Sequence, residues 1–175
     1  TRRSSDLGNS TVFTDGAAAV FLGTEEYATK NNHPVLAYFA DCEAAAVDFV
    51  HGAGLLMAPT LAVARLLKRN NLTLQDFDFY EIHEAFAGQV LCTLKAWEDD
   101  EYCKKELGLD KALGSIDRTK MNIKGGSVAL GHPFGATGAR LMGAMAKLLN
   151  QKGKGRGLIS VCTAGGMGVA AIIER

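Results

Sequence analysis

The sequence predicts a layered α/β fold in which a mixed, mostly parallel sheet is covered by helices. Two observations carry this expectation. Short apolar runs alternate along the chain with helix-like segments, the pattern of a parallel layered sheet. The last two such runs are separated only by a glycine-rich turn at Gly165-Gly166-Met167-Gly168, so they form a hairpin that adds an antiparallel strand. The expected order is β-α-β-α-β-α-β-β, with residues 1–175 forming a single domain.

Taken in order, Ala17 to Leu22 is apolar at every position and reads as a strand buried on both faces. Thr24 before Glu25-Glu26 starts a helix that ends near Asn31-Asn32, ahead of Pro34. Val35 to Phe39 reads as a second strand. The stretch from Asp41 to Met57 mixes helix-favouring alanines with the breaking sequence His51-Gly52-Ala53-Gly54 and reads as a long connection. Pro59 suits the first turn of a helix running to about Arg69. Phe77 to Ile82 is a third strand that delivers His83-Glu84 to its C-terminal end. Beyond it Phe86, Val90, Leu94 and Trp97 mark the core stripe of a helix, and Glu98 to Glu101 reads as a solvated acidic turn.

From Ala139 to Leu149 only Arg140 and Lys147 are charged, which places this helix in an interior layer. Gly153 to Gly157 is a basic turn, Leu158 to Cys162 a strand, and Val169 to Ile173 its returning partner.

Nineteen basic and nineteen acidic side chains cancel, so overall charge gives no reason to expect nucleic acid or an anionic membrane as a partner. Hydrophobic residues make up 47% and charged ones 22%, ordinary values for a folded globular chain. Cys42, Cys92, Cys103 and Cys162 lack the short paired spacings of zinc sites or redox dithiols and read as reduced thiols. No run is long enough for a membrane span, and Thr1 to Asp6 leads into no signal-like apolar stretch. The expected compartment is the bacterial cytoplasm, with a mitochondrial matrix or a peroxisome as alternatives. The absence of an initial methionine leaves room for processing or truncation.

Three residues stand where an open α/β sheet places its chemistry, beyond the carboxyl ends of strands. His83 follows the third strand, His132 sits in the loop from Gly125 to Gly138, and Cys162 ends the fourth strand. A lone histidine or cysteine is more often structural. The glycines around His132 and Cys162 shift the balance, because such loops let backbone N–H groups face a ligand or an oxyanion.

Asn122-Ile123-Lys124-Gly125-Gly126, followed by Ala129-Leu130-Gly131-His132-Pro133-Phe134-Gly135-Ala136-Thr137-Gly138, resembles the signature of thiolases. So do Cys162-Thr163-Ala164-Gly165-Gly166-Met167-Gly168, His83-Glu84-Ala85-Phe86, Asn9-Ser10 and Asp15-Gly16-Ala17. The match covers essentially the whole chain and corresponds to the C-terminal half of a thiolase, a thiolase-like half of α/β class. The resemblance implies Claisen chemistry on coenzyme A thioesters, in which a 3-ketoacyl-CoA is cleaved to acetyl-CoA and a shortened acyl-CoA, or formed in the reverse direction. Coenzyme A would enter as substrate or product, with no permanently bound cofactor and no metal. His132 would activate a nucleophilic cysteine supplied by an N-terminal half and help bind a thioester oxygen. Cys162 would move the α-carbon proton, and the backbone at Ala164 and Gly165 would support a second oxyanion hole. The resemblance also implies a homodimer or homotetramer.

Two departures narrow the subtype. Many thiolases carry Asn at the position of His83 and Gly at that of Ala164, whereas this pattern resembles the branch of trifunctional-enzyme β subunits and related bacterial acyltransferases, which points to fatty acid β-oxidation. None of the other cysteines sits in a nucleophile motif, so the chain reads as half of an active site. Lys120, Lys124 and Arg156 are basic candidates for coenzyme A phosphates, but solvated surface is the more ordinary role for each. Alternative readings are a β-ketoacyl synthase relative, which would not need Cys162 as a base, a sterol-carrier-type thiolase, and a non-catalytic thiolase-fold module for dimerisation or lipid binding.

Overall fold

A computed structural model describes residues 8–52 and 54–175. The Thr1 to Asp6 stretch, and Ala53 within the His51 to Gly54 segment, lie outside the described residues.

Helix α1 (Glu25–Lys30) begins on Thr24, whose hydroxyl accepts from the Tyr27 N–H, with acidic residues in its first turn and Lys30 in its last. Strand β1 (Tyr38–Ala46) leads through a loop to α2 (Ala58–Asn70), which carries Pro59 in its first turn and closes on a left-handed Asn71. Strand β2 (Phe79–Ile82) is followed by α3 (Ala87–Glu98), α4 (Asp100–Leu107) and a 3-10 turn at Arg118–Lys120. The short α5 (Ser127–Leu130), the long α6 (Thr137–Lys152), β3 (Arg156–Thr163) and β4 (Met167–Glu174) complete the chain.

The four strands form one mixed sheet in the order β1-β4-β3-β2. The pairs β1/β4 and β4/β3 are antiparallel, and β3/β2 is parallel. Alternation along each strand sends neighbours to opposite faces. Tyr80, Ile82, Leu158 and Ile172 pack with Leu66 and Leu67 of α2 and with Val90, Leu94 and Trp97 of α3. Ile159, Ala171 and Ile173 pack on the other face against Leu141, Met145 and Leu149 of α6. Gly157 lets α6 lie this close, because a Cβ there would force the Met145 side chain to move.

The α/β class and the mixed sheet agree with the expectation, but several elements differ. The sheet has one parallel pair where a mostly parallel arrangement was expected. The leading strand of the expected order is not formed: residues 17–22 have no regular structure, and all but the half-buried Val20 are exposed. An apolar run signals a need for burial, whereas a strand also needs a hydrogen-bonding edge, and no described strand pairs with this one.

Strand β1 runs well beyond Phe39, through alanines whose weak strand preference is overridden by pairing with β4. The acidic run at 98–101 is a helix boundary, where the Asp99 carboxylate accepts from the Tyr102 N–H to cap α4. Phe86 lies just before α3 and is half exposed, so the core stripe there begins at Val90. Helix α6 buries one face, through Leu141, Met145, Leu148 and Leu149, and is not enclosed all round by the described residues.

Candidate active site

Four segments converge at the carboxyl end of β2. The residues after the strand, Glu84 to Phe86, are met by an N-terminal strap in which Thr11 N–H donates to the Ala85 carbonyl at 3.0 Å and Ala87 N–H donates to the Asn9 carbonyl at 2.8 Å. The Thr11 hydroxyl continues across to the Ser127 carbonyl at 2.8 Å, so one short segment ties β2 to the glycine loop.

Asn122 makes the second tie, in a left-handed conformation with φ of 50°. Its side chain accepts from the Ile82 N–H at 2.8 Å and donates to the Ile82 carbonyl at 2.9 Å, replacing the neighbour that β2 lacks on this edge. It also donates to Glu84, whose other carboxylate oxygen accepts from the Val128 N–H at the start of α5. Gly126 makes this possible, because any Cβ at 126 would overlap the Glu84 carboxylate.

These ties bring two histidines together, their ring planes tilted by 52°. The ring centroids of His83 and His132 are 4.3 Å apart. His83 is 3% exposed, and its Nδ1 is 3.0 Å from the Ser127 hydroxyl, while its Nε2 is buried without a hydrogen-bond partner among the described residues. Burial, reinforced by His132 and Arg140, pulls the His83 pKa down to about 4. His132 Nδ1 is 2.6 Å from the Thr137 hydroxyl in the first turn of α6. Burial first and Arg140 second also lower its pKa. Both rings are therefore harder to protonate than a free imidazole, which favours the neutral form that can accept a proton.

Cys162 lies one residue before the end of β3 and is buried. Burial raises its thiol pKa, while the nearby Cys162 and Ala85 backbone N–H groups pull the other way. Ala164 and Gly165 are exposed in the hairpin turn. Ala164 is absent from the non-glycine residues with positive φ, so alanine introduces no left-handed strain there. The other cysteines lie elsewhere: Cys42 is exposed on β1 at the opposite sheet edge, Cys92 is exposed on α3, and Cys103 is buried in α4. Among the basic candidates, Arg156 is paired with Glu174 at the start of the hairpin, a structural contact.

Sequence reasoning did not single out Ser127, Thr137, Arg140 or Glu81. Arg140 reaches back from α6 to donate to the Ser127 hydroxyl at 3.1 Å. Glu81 is 2% exposed on β2, and burial lifts its pKa to about 7, opposed by Arg140 and assisted by Glu84. A signal for Glu81 was present: Phe79-Tyr80-Glu81-Ile82 puts a carboxylate inside an otherwise apolar strand.

The description "Thiolase, C-terminal domain" matches residues 33–175. This chain belongs to the thiolase family. It is 43% identical over 95% of its length to a 3-ketoacyl-CoA thiolase of Alteromonas mediterranea and 42% identical over 95% to a probable 3-ketoacyl-CoA thiolase of Caenorhabditis elegans. The crystal structure of the Bacillus anthracis acetyl-CoA acetyltransferase superposes with a TM-score of 0.74 at 36% identity, covering 96% of this chain. In each case the chain spans little more than a third of the thiolase it matches, 38%, 37% and 38% respectively. Among the described residues, no helix is long and apolar enough to cross a membrane.

Proposed function

We propose that this chain supplies the C-terminal portion of a thiolase that cleaves 3-ketoacyl-CoA to acetyl-CoA and a shortened acyl-CoA, or runs the reverse condensation. The observation that carries this reading is the packing of His83 against His132, ring centroids 4.3 Å apart, beyond the carboxyl end of β2, with the buried Cys162 near the end of the paired strand β3. That set offers a base, hydrogen-bonding groups for a developing oxyanion, and a thiol that can exchange a proton with carbon.

In this reading His132 accepts the proton of the nucleophilic cysteine, which the N-terminal portion of the enzyme provides, and the cysteine sulfur forms the bond to the acyl carbon. As the carbon–carbon bond breaks, the Cys162 thiol gives its proton to the acetyl α-carbon. In the condensation direction the Cys162 thiolate takes that proton back. Burial favours the protonated thiol, the form needed in cleavage, and the two backbone N–H groups lower the cost of the thiolate. The Ala164 and Gly165 backbone supports the second oxyanion hole.

Coenzyme A is substrate and product here. The His-Glu-Ala-Phe sequence at 83–86 favours the fatty acid β-oxidation branch, while membership of the thiolase family favours a homo-oligomer and the bacterial relatives favour the bacterial cytoplasm. A β-ketoacyl synthase reading gains nothing from Cys162, because decarboxylation makes the carbanion without a base. Thiolysis of a 3-ketoacyl-CoA, assayed with this chain alone and with the chain as the C-terminal part of a complete thiolase, tests the proposal. Activity is expected only in the complete enzyme. Robust cleavage by the chain alone would contradict the half-site reading, and an inactive complete enzyme would contradict the thiolase reading.

A further inference from the structure

The bonds around one serine hydroxyl determine what His83 can offer a substrate. Ser127 Oγ has two partners, Arg140 Nη2 at 3.1 Å and His83 Nδ1 at 3.0 Å. A guanidinium has only protons to give, so the serine oxygen accepts from Arg140. The oxygen keeps a second acceptor site, but its hydroxyl proton has no other partner among the described residues, so the arrangement that leaves fewer polar groups unpaired has the hydroxyl donate to His83 Nδ1. In that arrangement Nδ1 presents its lone pair. A neutral imidazole carries one N–H, which therefore sits on Nε2.

Ser127 is well placed to enforce this. It is 1% exposed, and its carbonyl is held by the Thr11 hydroxyl and by the Gly131 N–H at 2.8 Å. Arg140 is anchored on α6, so the hydroxyl has little freedom to turn its proton elsewhere. His83 Nε2 is buried and satisfied by nothing among the described residues. A buried N–H left unpaired is costly, and the cost is recovered when a ligand oxygen arrives.

We propose that Ser127 and Arg140 are positioning residues that hold His83 in its Nε2–H tautomer, so that Nε2 donates a hydrogen bond to the reacting carbonyl oxygen of the thioester substrate. This deepens the thiolase reading and rests on it for the identity of that oxygen. The adjacent His132 is thereby freed for the opposite role, so that one imidazole of the pair gives a hydrogen bond while the other accepts a proton. Asparagine, common at this position in thiolases, carries its donor without any tautomer to set. A histidine needs the serine and arginine behind it.

The test is nitrogen NMR of the histidine-labelled chain, which reads tautomers without requiring turnover. The expected native spectrum has His83 Nδ1 as an unprotonated, hydrogen-bonded nitrogen and Nε2 as a protonated one. Ser127→Ala should move the Nδ1 resonance to that of a free unprotonated nitrogen, or average the two resonances as tautomers mix, and Ser127→Thr should restore the native pattern. A native Nδ1 that carries the proton, or an alanine variant with an unchanged His83 spectrum, would overturn the proposal. Should the alanine variant not fold, the native spectrum alone still decides between the tautomers. Because thiolysis plays no part in this readout, failure of the tautomer assignment is distinguishable from failure of the thiolase reading.

Discussion

His83 and His132 pack with ring centroids 4.3 Å apart and planes tilted by 52°, at the junction of a strand end and a glycine loop that are distant in sequence. Charging His83 is costly, because burial and two neighbouring basic groups lower its pKa from 6.5 to about 4. The folded state then binds fewer protons than the unfolded chain between these values. His83 thus contributes stability that is fully present above pH 6.5 and is lost as pH falls through 4. The expected amount is roughly 3 kcal/mol across that window. Urea midpoints of the native chain and of His83→Asn, compared from pH 7 to pH 4, check it: the variant should lose less stability on acidification than the native chain.

Glu81 acts with the opposite sign. Burial raises its pKa from 4.5 to about 7, so the folded state holds the proton more tightly and the contribution is lost as pH rises through that range. Between about pH 4.5 and 6.5 the Glu81 and His83 effects oppose each other, and the native chain should show a shallow pH dependence there. Glu81→Gln removes one side of this balance. Its stability relative to the native protein should rise with pH from 4.5 to 7, by roughly 3 kcal/mol, in the same urea series. A flat difference between the two proteins would mean that Glu81 is not buried as a neutral acid.

Glu84 occupies the space that any side chain at 126 would need. Gly126→Ala should therefore cost about 1–3 kcal/mol and displace the carboxylate that holds Asn122 and the start of α5. In a double-mutant cycle with Glu84→Ala, the alanine at 126 should cost much less, because the clashing group is gone. Additive effects in chemical denaturation would show that the two positions do not meet.

The elements that were legible in the sequence are those whose signals are local. Thr24 before two glutamates and Pro59 in a first turn mark helix starts through their own backbone preferences. The glycine turn after Cys162 likewise marks the hairpin. Residues 17–22 show the limit, because their apolar character specifies burial without naming the partner. In the candidate site, the strand-end and loop placement of His83, His132 and Cys162 was legible in the sequence. Arg140 was read only as a charge on an apolar helix, and its contact with Ser127 depends on how α6 crosses the sheet. Glu81 was masked in the same way, since the burial that alters its proton affinity belongs to the packed layers.

The central claim is that Cys162 moves the α-carbon proton in a site of which this chain supplies one part. Exchange of the acetyl-CoA α-protons with deuterated water, followed alongside acyl-enzyme formation in a complete thiolase carrying this chain, measures that step directly. Cys162→Ala should abolish the exchange while the acyl-enzyme still forms. Exchange that continues at the native rate in the variant would contradict the account.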